Sequence, residues 1–488
     1  MAGTHEHDVV DGTPLGASAR WALVSLSVSM LMPSLDTSIA NVGLPILAAA
    51  FGASFAQVQW IVLAYLLAIT TLLVTAGRLG DMLGRRRMLL VGIALFTVTS
   101  LSCGVAPTIW LLIAARAAQG VGAAIMIAMT LALVGETVPK GRIGRAMGLM
   151  GTMSAIGTTL GPTLGGVLLD IFGWRMIFLV NVPIGVAGAL LAMRTLPEDR
   201  PAASTRRVGL DLTGTLLLAS TLSAYSLAMT IGHGHFGSDN IALLLITALG
   251  IIAFALAEGR AEWPLIQLGL FRDTTLSAGL SMSALVSTVM MSTLVVGPFY
   301  LAGALGLDPN RVGLVMSAGP LMATLSGIPA GRLVDRLGAR RATMAALVGM
   351  SGGLVALAVV PGRFGVTGYV IAIAIVATHY ALFQAANNTS VMTRVGSAQR
   401  GVVSGLLGLS RNLGLITGAS AMGAVFAAAS ATTDLTTAHS ASVAAGMRTT
   451  FLVAAALGLA AVMIAIRANI RVWRHSLTVR LSRQTSAS

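Results

Sequence analysis

Long apolar segments separated by short polar turns repeat along almost the whole chain. Each segment holds about 20 or more residues with few charges, which is the length that an α-helix needs to cross a membrane. Most of the turns contain helix-breaking residues, as in "GVAP" and "LDPN". The pattern predicts fourteen membrane-spanning helices, at residues 21–48, 57–77, 88–107, 109–135, 146–169, 175–193, 210–231, 240–258, 274–300, 311–331, 342–360, 365–391, 401–428 and 449–468.

The composition supports an all-α polytopic membrane protein. Of the 488 residues, 56% are hydrophobic and 10% are charged, and the mean hydropathy is +0.86. A water-soluble fold does not have such values. The segments are too long and too uniformly apolar for the alternating strands of a membrane β-barrel.

The basic residues lie mainly on one set of alternate loops. Cytoplasmic loops of membrane proteins are enriched in Lys and Arg, so the pattern places the N and C termini in the cytoplasm and agrees with fourteen spans. The net charge of +14 then reflects topology rather than binding of nucleic acid. The exceptions to the pattern are Arg175, Arg311, Arg363 and Arg448 on the opposite side, and Arg116 and Arg411 within spans.

A charged segment, "GRLGDMLGRRR" at residues 77–87, recurs as "GRLVDRLGARR" at residues 331–341. Each copy follows the second span of a six-span half, which indicates two related halves. Two further spans, the seventh and eighth, lie between these halves. We therefore predict an N-terminal six-helix bundle (1–197), two inserted linker helices (198–272), and a C-terminal six-helix bundle with a cytoplasmic tail (273–488).

Asp36 is an acidic residue that lies deep within a predicted span. Inserting a charge at the centre of a membrane costs about 2.5–3.5 kcal/mol, so an intramembrane carboxylate points to a function. We predict that Asp36 binds the transported proton and that Arg116, in the fourth span, is the cation whose movement switches proton uptake and release. The alternative is a static pair that fixes the first span against the fourth.

Several motifs occur in a fixed order along the chain. They are "LDTSIANVGLP" (35–45), "GRLGDMLGRRR" (77–87), "RAAQGVGAA" (116–124), "GTTLGPTLGG" (157–166) and "WRMIFLVNVPIG" (174–185). Together they resemble the major facilitator superfamily, specifically its fourteen-span drug:proton antiporter branch. The resemblance implies the major facilitator fold, with two six-helix bundles and two inserted helices, and it implies proton-driven multidrug efflux.

The two charged segments predict a cytoplasmic gate. Arg78 and Asp81 in the first copy, and Arg332 and Asp335 in the second, lie at the ends of equivalent spans. Ion pairs or contacts with a helix N-terminus at these positions would hold the halves together in one state and separate in the other. The alternative is that the charges only fix the topology, and for the arginine run 85–87 both interpretations stay open.

The predicted substrate cavity combines polar, cationic and methionine side chains, which suit amphipathic ligands. His379 is either a proton relay or a hydrogen-bonding group between helices. Arg411 either attracts weak acids or braces the C-terminal half. The methionines either contact the substrate or simply pack against lipid or the protein core. The candidate cavity residues are Asn41, Gln119, His379, Gln384, Asn387, Asn388, Arg411 and Met290.

Other classes of protein fit the sequence less well. An ATP-driven pump needs a lysine-containing phosphate loop, and the one lysine of this chain, Lys140, lies in the unrelated turn "PKGR". Cys103 is the single cysteine, so a cysteine-based metal cluster is excluded. A nucleophile with its base is not apparent either. We therefore expect neither an enzyme nor a metal site.

These observations lead us to expect a proton-coupled antiporter of the bacterial cytoplasmic (inner) membrane that exports amphipathic drugs or toxic small molecules by alternating access. The alternative is a passive or differently coupled carrier of an organic anion or metabolite. The expected partners are the small-molecule substrate, protons and the lipid bilayer. The proton gradient is the expected energy source, with no cofactor, ATP or nucleic acid. We expect a monomer, and the sequence identifies no accessory export protein.

Overall fold

The computed structural model is helical throughout the part of the chain that it describes, residues 16–138, 142–199, 211–231, 237–266, 268–393, 400–430 and 439–485. Within these residues, fourteen helical spans are long and apolar enough to cross a membrane. This confirms the predicted all-α fold. The orientation of the termini and the division of the chain at 197/198 and 272/273 stay predictions.

The chain forms two six-span halves with an inserted hairpin between them. Helices α6 and α7 together make one span, and so do α14 and α15. The N-terminal half contains α1 (Ala17–Phe51), α2 (Phe55–Leu83), α3 (Arg85–Gly104), α4 (Ile109–Thr137), α5 (Ile143–Phe172), α6 (Met176–Leu179) and α7 (Asn181–Thr195). The inserted hairpin contains α8 (Leu212–Thr230) and α9 (Ser238–Arg260). The C-terminal half contains α10 (Thr274–Phe299), α11 (Pro309–Leu337), α12 (Ala339–Val359), α13 (Pro361–Met392), α14 (Arg400–Thr417), α15 (Gly423–Ser430) and α16 (Ser440–Thr485).

The two copies of the charged segment form the same turn. Gly84 separates α2 from α3 with a φ of 101°, and Gly338 separates α11 from α12 with a φ of 78°. A side chain is strained at such positive φ angles, so glycine allows the reversal at both positions. The repeat in sequence is therefore a repeat in backbone geometry.

Helices α1 and α5 pack through glycines, as the spacing in "GTTLGPTLGG" suggested. A methyl group at Gly157 would lie 2.8 Å from the carbonyl oxygen of Leu31, and one at Gly165 would lie 3.3 Å from the Cα atom of Ile39. Small residues at a spacing of four allow backbones to approach closely in membrane helices. The contact fixes α5 along the helix that carries Asp36.

The two halves meet where α1 ends, which we call the Phe51 end. On α5 and α11, Thr163 and Ser317 are hydrogen-bonded at 2.5 Å. Next to them a methyl group at Gly313 would lie 2.9 Å from the Cα atom of Gly166, so the two backbones are in contact. Phe55 of α2 stacks edge-on against Phe299 and Phe426 of the C-terminal half, with ring centroids 4.9 and 5.4 Å apart.

Helices α5 and α11 diverge towards the opposite end of the bundle, which we call the Asp81 end. Their mid-helix contact is a 3.1 Å hydrogen bond between Thr159 and Thr324. Beyond it, α11 buries a single stripe, Ser326, Ala330 and Val334, and Ser326 donates a hydrogen bond to α13. The structure is therefore closed at the Phe51 end and open between the halves at the Asp81 end.

The inserted hairpin lies against the N-terminal half through α8. Thr215 is hydrogen-bonded to Thr75 of α2 at 3.0 Å, and Trp60 Nε1 donates a hydrogen bond to Thr230 Oγ1 over 3.1 Å. These two bonds lie near opposite ends of α8. They hold the helix along α2, while most residues of α9 are exposed or partly exposed.

Candidate functional site

Asp36 lies near the middle of α1 and binds three donors. Arg116 Nη1 forms an ion pair with Asp36 Oδ2. Gln119 Nε2 donates to Oδ1 over 3.0 Å, and Asn181 Nδ2 donates to the same oxygen over 2.7 Å. All four residues are at most 1% exposed. The carboxylate is therefore held by α4 and α7 in a site closed to solvent.

Arg116 is held as firmly as its partner. Its Nε donates to the carbonyl oxygen of Ile61 over 3.1 Å, and its Nη1 also donates to Gln119 Oε1 over 2.6 Å. Its guanidinium carbon lies 4.2 Å from the ring centroid of Tyr65, within the range of a cation–π interaction. Its Nη2 has no hydrogen-bond partner among the described residues. One donor of the buried cation thus stays available.

The structure brings together Asp36, Arg116 and Gln119, as expected from the sequence, and adds two residues that the sequence analysis missed. These are Asn181, which binds Asp36, and Ser100, whose hydroxyl accepts a 2.7 Å hydrogen bond from Gln119. Asn181 stands within the quoted stretch "WRMIFLVNVPIG". The signal that could have identified Asn181 is an amide in an otherwise apolar span, because a buried polar group needs a partner.

Protonation would change this site strongly. With Asp36 ionised, its charge compensates that of Arg116 within the buried cluster. With Asp36 neutral, Arg116 becomes an uncompensated buried cation, which is costly in a low-dielectric site. Separation of the helices, or approach of an anionic or polar ligand, would lower that cost. The arrangement can therefore link proton binding to a change in helix packing.

The described hydrogen bonds of Arg78 and Asp81, predicted as gate residues, go to the segment just beyond α9 and to the N-terminal half. Arg78 Nη1 and Nη2 each donate over 2.8 Å to the carbonyl oxygens of Trp263 and Pro264, just beyond α9. Asp81 accepts two bonds from Arg85, at 3.0 and 2.7 Å. Arg85 Nη1 also forms a 2.8 Å ion pair with a glutamate of α4. In the described part of the chain, Asp81 thus belongs to a network within the N-terminal half.

The second copy of the charged segment lacks this network. Arg332 and Asp335 are exposed on the last turns of α11. Ala339 stands where the first copy has Arg85, the partner of the equivalent aspartate. Between the described residues of the two copies, the structure has no hydrogen bond or ion pair. The gate that these residues were predicted to form stays a prediction for a state closed at the Asp81 end.

The N-terminus of α3 is capped by Asp199, a residue from the linker that follows α7. Its two carboxylate oxygens accept hydrogen bonds from the backbone N–H groups of Arg86 and Arg87, over 2.8 and 3.0 Å. A carboxylate at this position satisfies free N–H groups and complements the helix dipole. The helix N-terminus contact that was expected of the aspartates of the charged segments is thus made here by Asp199.

The predicted polar residues of α13 lie in different environments. Asn387 is buried, and its Nδ2 donates to the carbonyl oxygen of Gly279 on α10 over 3.2 Å. Gln384 Nε2 donates to the hydroxyl of Tyr380 one turn earlier, over 3.1 Å. Asn388 is exposed. Asn387 therefore connects two helices of the C-terminal half, whereas the other two amides remain accessible for a ligand.

His379 and Met290 make packing contacts. The Nδ1 atom of His379 lies 2.8 Å from the carbonyl oxygen of Ile375, within the same helix. Its ring fills the space above Gly349 of α12, since a methyl group there would overlap it. Met290 on α10 is partly buried against the core. These contacts account for packing, and a role in substrate or proton binding stays a prediction for both residues.

Arg411 and Asn41 have opposite exposures. Arg411 is exposed on α14, on the same side as the exposed residues Ser404 and Gly405. Asn41, one and a half turns beyond Asp36, is 1% exposed, and neither polar atom of its side chain has a partner among the described residues. It is a buried amide available for a ligand.

The comparisons with known proteins agree with this architecture. A family model described as Major Facilitator Superfamily matches residues 26–419 and, in a second match, residues 279–475. The riboflavin transporter RibZ of Clostridioides difficile (strain 630) is 31% identical over 409 residues, covering 84% of this chain and 88% of that protein. The multidrug resistance protein Stp of Mycobacterium tuberculosis (strain CDC 1551 / Oshkosh) is 33% identical over 409 residues, covering 83% and 75%.

A solved structure shares the fold. A bacterial homologue of the human lysosomal transporter Spinster, in an inward-facing and occupied conformation, has a TM-score of 0.68 at 15% identity, covering 93% of this chain and 98% of that chain. The family match and the relatives named multidrug resistance proteins confirm the resemblance that the motifs indicated. The chain belongs to the Major Facilitator Superfamily and is a membrane transporter, not an enzyme.

Proposed function

We propose that the protein is a proton-coupled antiporter that exports amphipathic drugs or other toxic small molecules across the cytoplasmic membrane of a bacterium by alternating access. The observation that carries the proposal is the buried pair of Asp36 and Arg116, a titratable group and a cation placed inside the N-terminal half. The relative Stp, which is named a multidrug resistance protein, supports the substrate class. The proton gradient supplies the energy, without ATP or a cofactor.

The first step of the mechanism is exchange of the proton at Asp36. When Asp36 takes up a proton, its attraction for Arg116 falls and three hydrogen-bond donors lose their charged acceptor. Hydrogen bonds to a charged group are stronger than those between neutral groups. Protonation therefore loosens the contact of α1 with α4 and α7.

The second step is transmission from α1 to α5. Ser38, two residues from Asp36, donates a hydrogen bond to the carbonyl oxygen of Thr158 over 2.9 Å. On the other side of Asp36, Ser34 is hydrogen-bonded to Ser154 at 2.7 Å. Because α5 also contacts α11 at the Phe51 end, a shift of α1 acts on the contact between the halves. This geometry supports alternating access driven by the protonation state.

The substrate would enter from the open Asp81 end. Accessible amides, the exposed Arg411 and partly buried methionines offer polar contacts beside adaptable apolar surface. Such a lining suits amphipathic molecules of varied shape. Arg116 Nη2, which has no partner among the described residues, is a further donor near the midplane when Asp36 is protonated.

The test is proton flux in inside-out vesicles with an imposed pH gradient, with cationic, neutral and anionic amphiphiles added in turn. In the wild type, one class of compound should dissipate the gradient. Asp36→Asn keeps the size of the side chain and is neutral, like a protonated carboxyl group, but it cannot exchange a proton. It should abolish this dissipation while substrate–substrate counterflow, which needs no proton, persists.

The matched control is Asp170→Asn, at an exposed aspartate near the end of α5, which should behave as the wild type. Dissipation that continues unchanged in folded Asp36→Asn protein would overturn the role of Asp36. Absence of dissipation in the wild type with all three classes of compound would overturn antiport itself.

A second candidate function is a passive or differently coupled carrier of an organic anion or metabolite. The exposed cation Arg411 favours it, and the relative RibZ is named a riboflavin transporter. This function predicts uptake or exchange of anions that is insensitive to the pH gradient and to Asp36→Asn. The same vesicle assay therefore distinguishes the two functions.

A further inference from the structure

A second acidic pair lies in the inserted hairpin, away from Asp36. Asp211 precedes the first residue of α8, and Glu258 lies in the last turn of α9. Their carboxylate oxygens Asp211 Oδ2 and Glu258 Oε1 both lie against the position that a methyl group at Gly214 would take. Glu258 is 3% exposed. The pair thus places a buried and a partly exposed carboxyl group together at the Asp81 end.

In each carboxyl group, one oxygen accepts a hydrogen bond from a backbone N–H, and the other oxygen faces the partner carboxyl group. Asp211 Oδ1 accepts from the N–H of Gly214 over 2.7 Å, and Glu258 Oε2 accepts from the N–H of Ile266 over 2.9 Å. Asp211 Oδ2 and Glu258 Oε1 are buried and have no donor among the described residues. These two acceptor oxygens therefore face each other, and none of the described residues donates a hydrogen bond to either of them.

The two unpartnered oxygens converge above one glycine. A methyl group at Gly214 would lie 2.5 Å from Glu258 Oε1 and would also overlap Asp211 Oδ2. Two carboxylates whose buried oxygens converge in this way cannot both be ionised at low cost, because their charges repel and the facing oxygens are shielded from solvent. A single proton held between the two oxygens removes the repulsion and gives both a hydrogen bond.

Among the described residues, the charged neighbours of Glu258 in sequence, Arg260 and Glu262, are exposed. Arg78 of α2 reaches the same segment, where its Nη1 and Nη2 donate to backbone carbonyl oxygens. Asp211, which lies just before α8, is the charged group whose negative charge acts on Glu258. The described residues contain no group of three or more His, Cys, Asp or Glu side chains that would hold a metal ion.

The pair is attached to a segment that connects the two halves. We call residues 261–266 the strap. Arg78 of the N-terminal half binds its backbone at Trp263 and Pro264. At its end, the side chain of Ile266 is buried in a cluster with Leu276 and Leu280 of α10. The bond from Ile266 N–H to Glu258 thus fixes the strap where it enters the C-terminal half.

We propose that Asp211 and Glu258 bind one shared proton, and that this proton fixes the strap between the halves. Loss of the proton to solvent leaves two like charges in contact. Their repulsion separates α8 from the end of α9 and frees residues 261–266. The inserted hairpin is thereby a proton-sensitive connection that acts independently of Asp36.

The test follows the mobility of the strap directly. A nitroxide spin label is attached at Glu262→Cys, an exposed strap position, in a Cys103→Ser background of the full chain. The label should become more mobile as the pH rises from about 6 to about 10, a range in which buried carboxyl groups are known to titrate. Glu258→Gln and Asp211→Asn each supply an N–H donor in place of the shared proton, so both should abolish this transition and keep the label immobile.

Controls separate the proposal from general effects of pH. A label at Ser238→Cys, at the other end of α9, should show no transition. Glu258→Ala removes the bond and should give a mobile strap at every pH. An infrared difference spectrum of wild type and Glu258→Gln at neutral pH should contain the carbonyl band of a protonated carboxyl group.

Two results would overturn the proposal. One is a label at position 262 whose mobility does not change with pH in the wild type. The other is the same transition in Glu258→Gln and Asp211→Asn as in the wild type. Neither measurement involves transport, so the result is independent of the proposed antiport.

Discussion

Asn181 donates a 2.7 Å hydrogen bond to Asp36 from the first residue of α7. The sixth span thus places a neutral donor at the depth where the first span carries its carboxylate. Asp36 thereby joins three spans, namely its own, the fourth, which carries Arg116 and Gln119, and the sixth. A change in the charge of Asp36 acts on all three.

Replacing Asn181 tests this relationship. Asn181→Ala removes one donor from a buried carboxylate, and we expect the free energy of unfolding to fall by about 1–3 kcal/mol. Drug-driven proton flux should also fall, because the sixth span no longer responds to Asp36. Denaturation and vesicle flux measure the two effects. Asn388→Ala, at an exposed amide, is the control for unfolding, and equal stability of the two variants would contradict the expectation.

The sequence identified the charged members of this site because intramembrane charges are rare. Asp36 and Arg116 stood out among apolar residues, whereas Gln119 was predicted only as a residue of the substrate cavity. Asn181 and Ser100 are neutral, and uncharged polar side chains are common within these spans. Their roles depend on which helices face each other, which periodicity along one helix does not specify.

Arg116 should tolerate no other cation. Lysine keeps the charge but lacks the planar group that binds Asp36, Gln119 and the carbonyl oxygen of Ile61 together. We expect Arg116→Lys to fold but to lose most drug-driven proton flux. Arg116→Ala leaves Asp36 as an unpaired buried charge and should cost about 3–5 kcal/mol of stability.

The matched control is Arg175→Lys, at an exposed arginine, which should resemble the wild type in both assays. Flux in Arg116→Lys equal to that of the wild type would mean that only the positive charge matters.

The contact between α5 and α11 should control which end of the protein is open. At Gly313, a methyl group would overlap the carbonyl oxygen of Pro162 and lie 2.9 Å from the Cα atom of Gly166. Gly313→Ala should therefore disfavour the state closed at the Phe51 end. Labelling of a cysteine placed at Thr163 by a membrane-impermeant reagent should increase.

Gly327→Ala on the same helix is the control, because no atom lies within 4 Å of the added methyl group. It should leave the labelling unchanged. Equal labelling in the Gly313→Ala and Gly327→Ala variants would show that the backbone contact does not determine closure.

The two charged segments should differ in their contribution to stability. Asp81 is paired with Arg85, whereas Asp335 has Ala339 at the matching position. We expect Asp81→Asn to cost up to about 1 kcal/mol, as for other exposed ion pairs, and Asp335→Asn to cost nothing measurable in the conformation described. Thermal unfolding of both variants at low and high salt checks this, and an equal loss in both would contradict it.

The identity of the gate could not be predicted from the repeat alone. Eight of the eleven positions agree between the copies, but the difference between Arg85 and Ala339 decides whether the aspartate is paired. Arg78 was predicted as a gate residue, and in this conformation it binds the carbonyl oxygens of Trp263 and Pro264. Backbone acceptors carry no signature in a sequence, so such contacts appear only in the folded chain.

The glycine contact between α5 and α11 has a mechanical consequence. Where backbone meets backbone, at Gly166 and Gly313, no side chain has to change rotamer when the two helices roll over each other. Such a contact can act as a pivot that offers little resistance to rotation and keeps its position during the motion. The rate of the transport cycle would then be limited at the two ends of the helices, where hydrogen bonds form and break, rather than at the pivot.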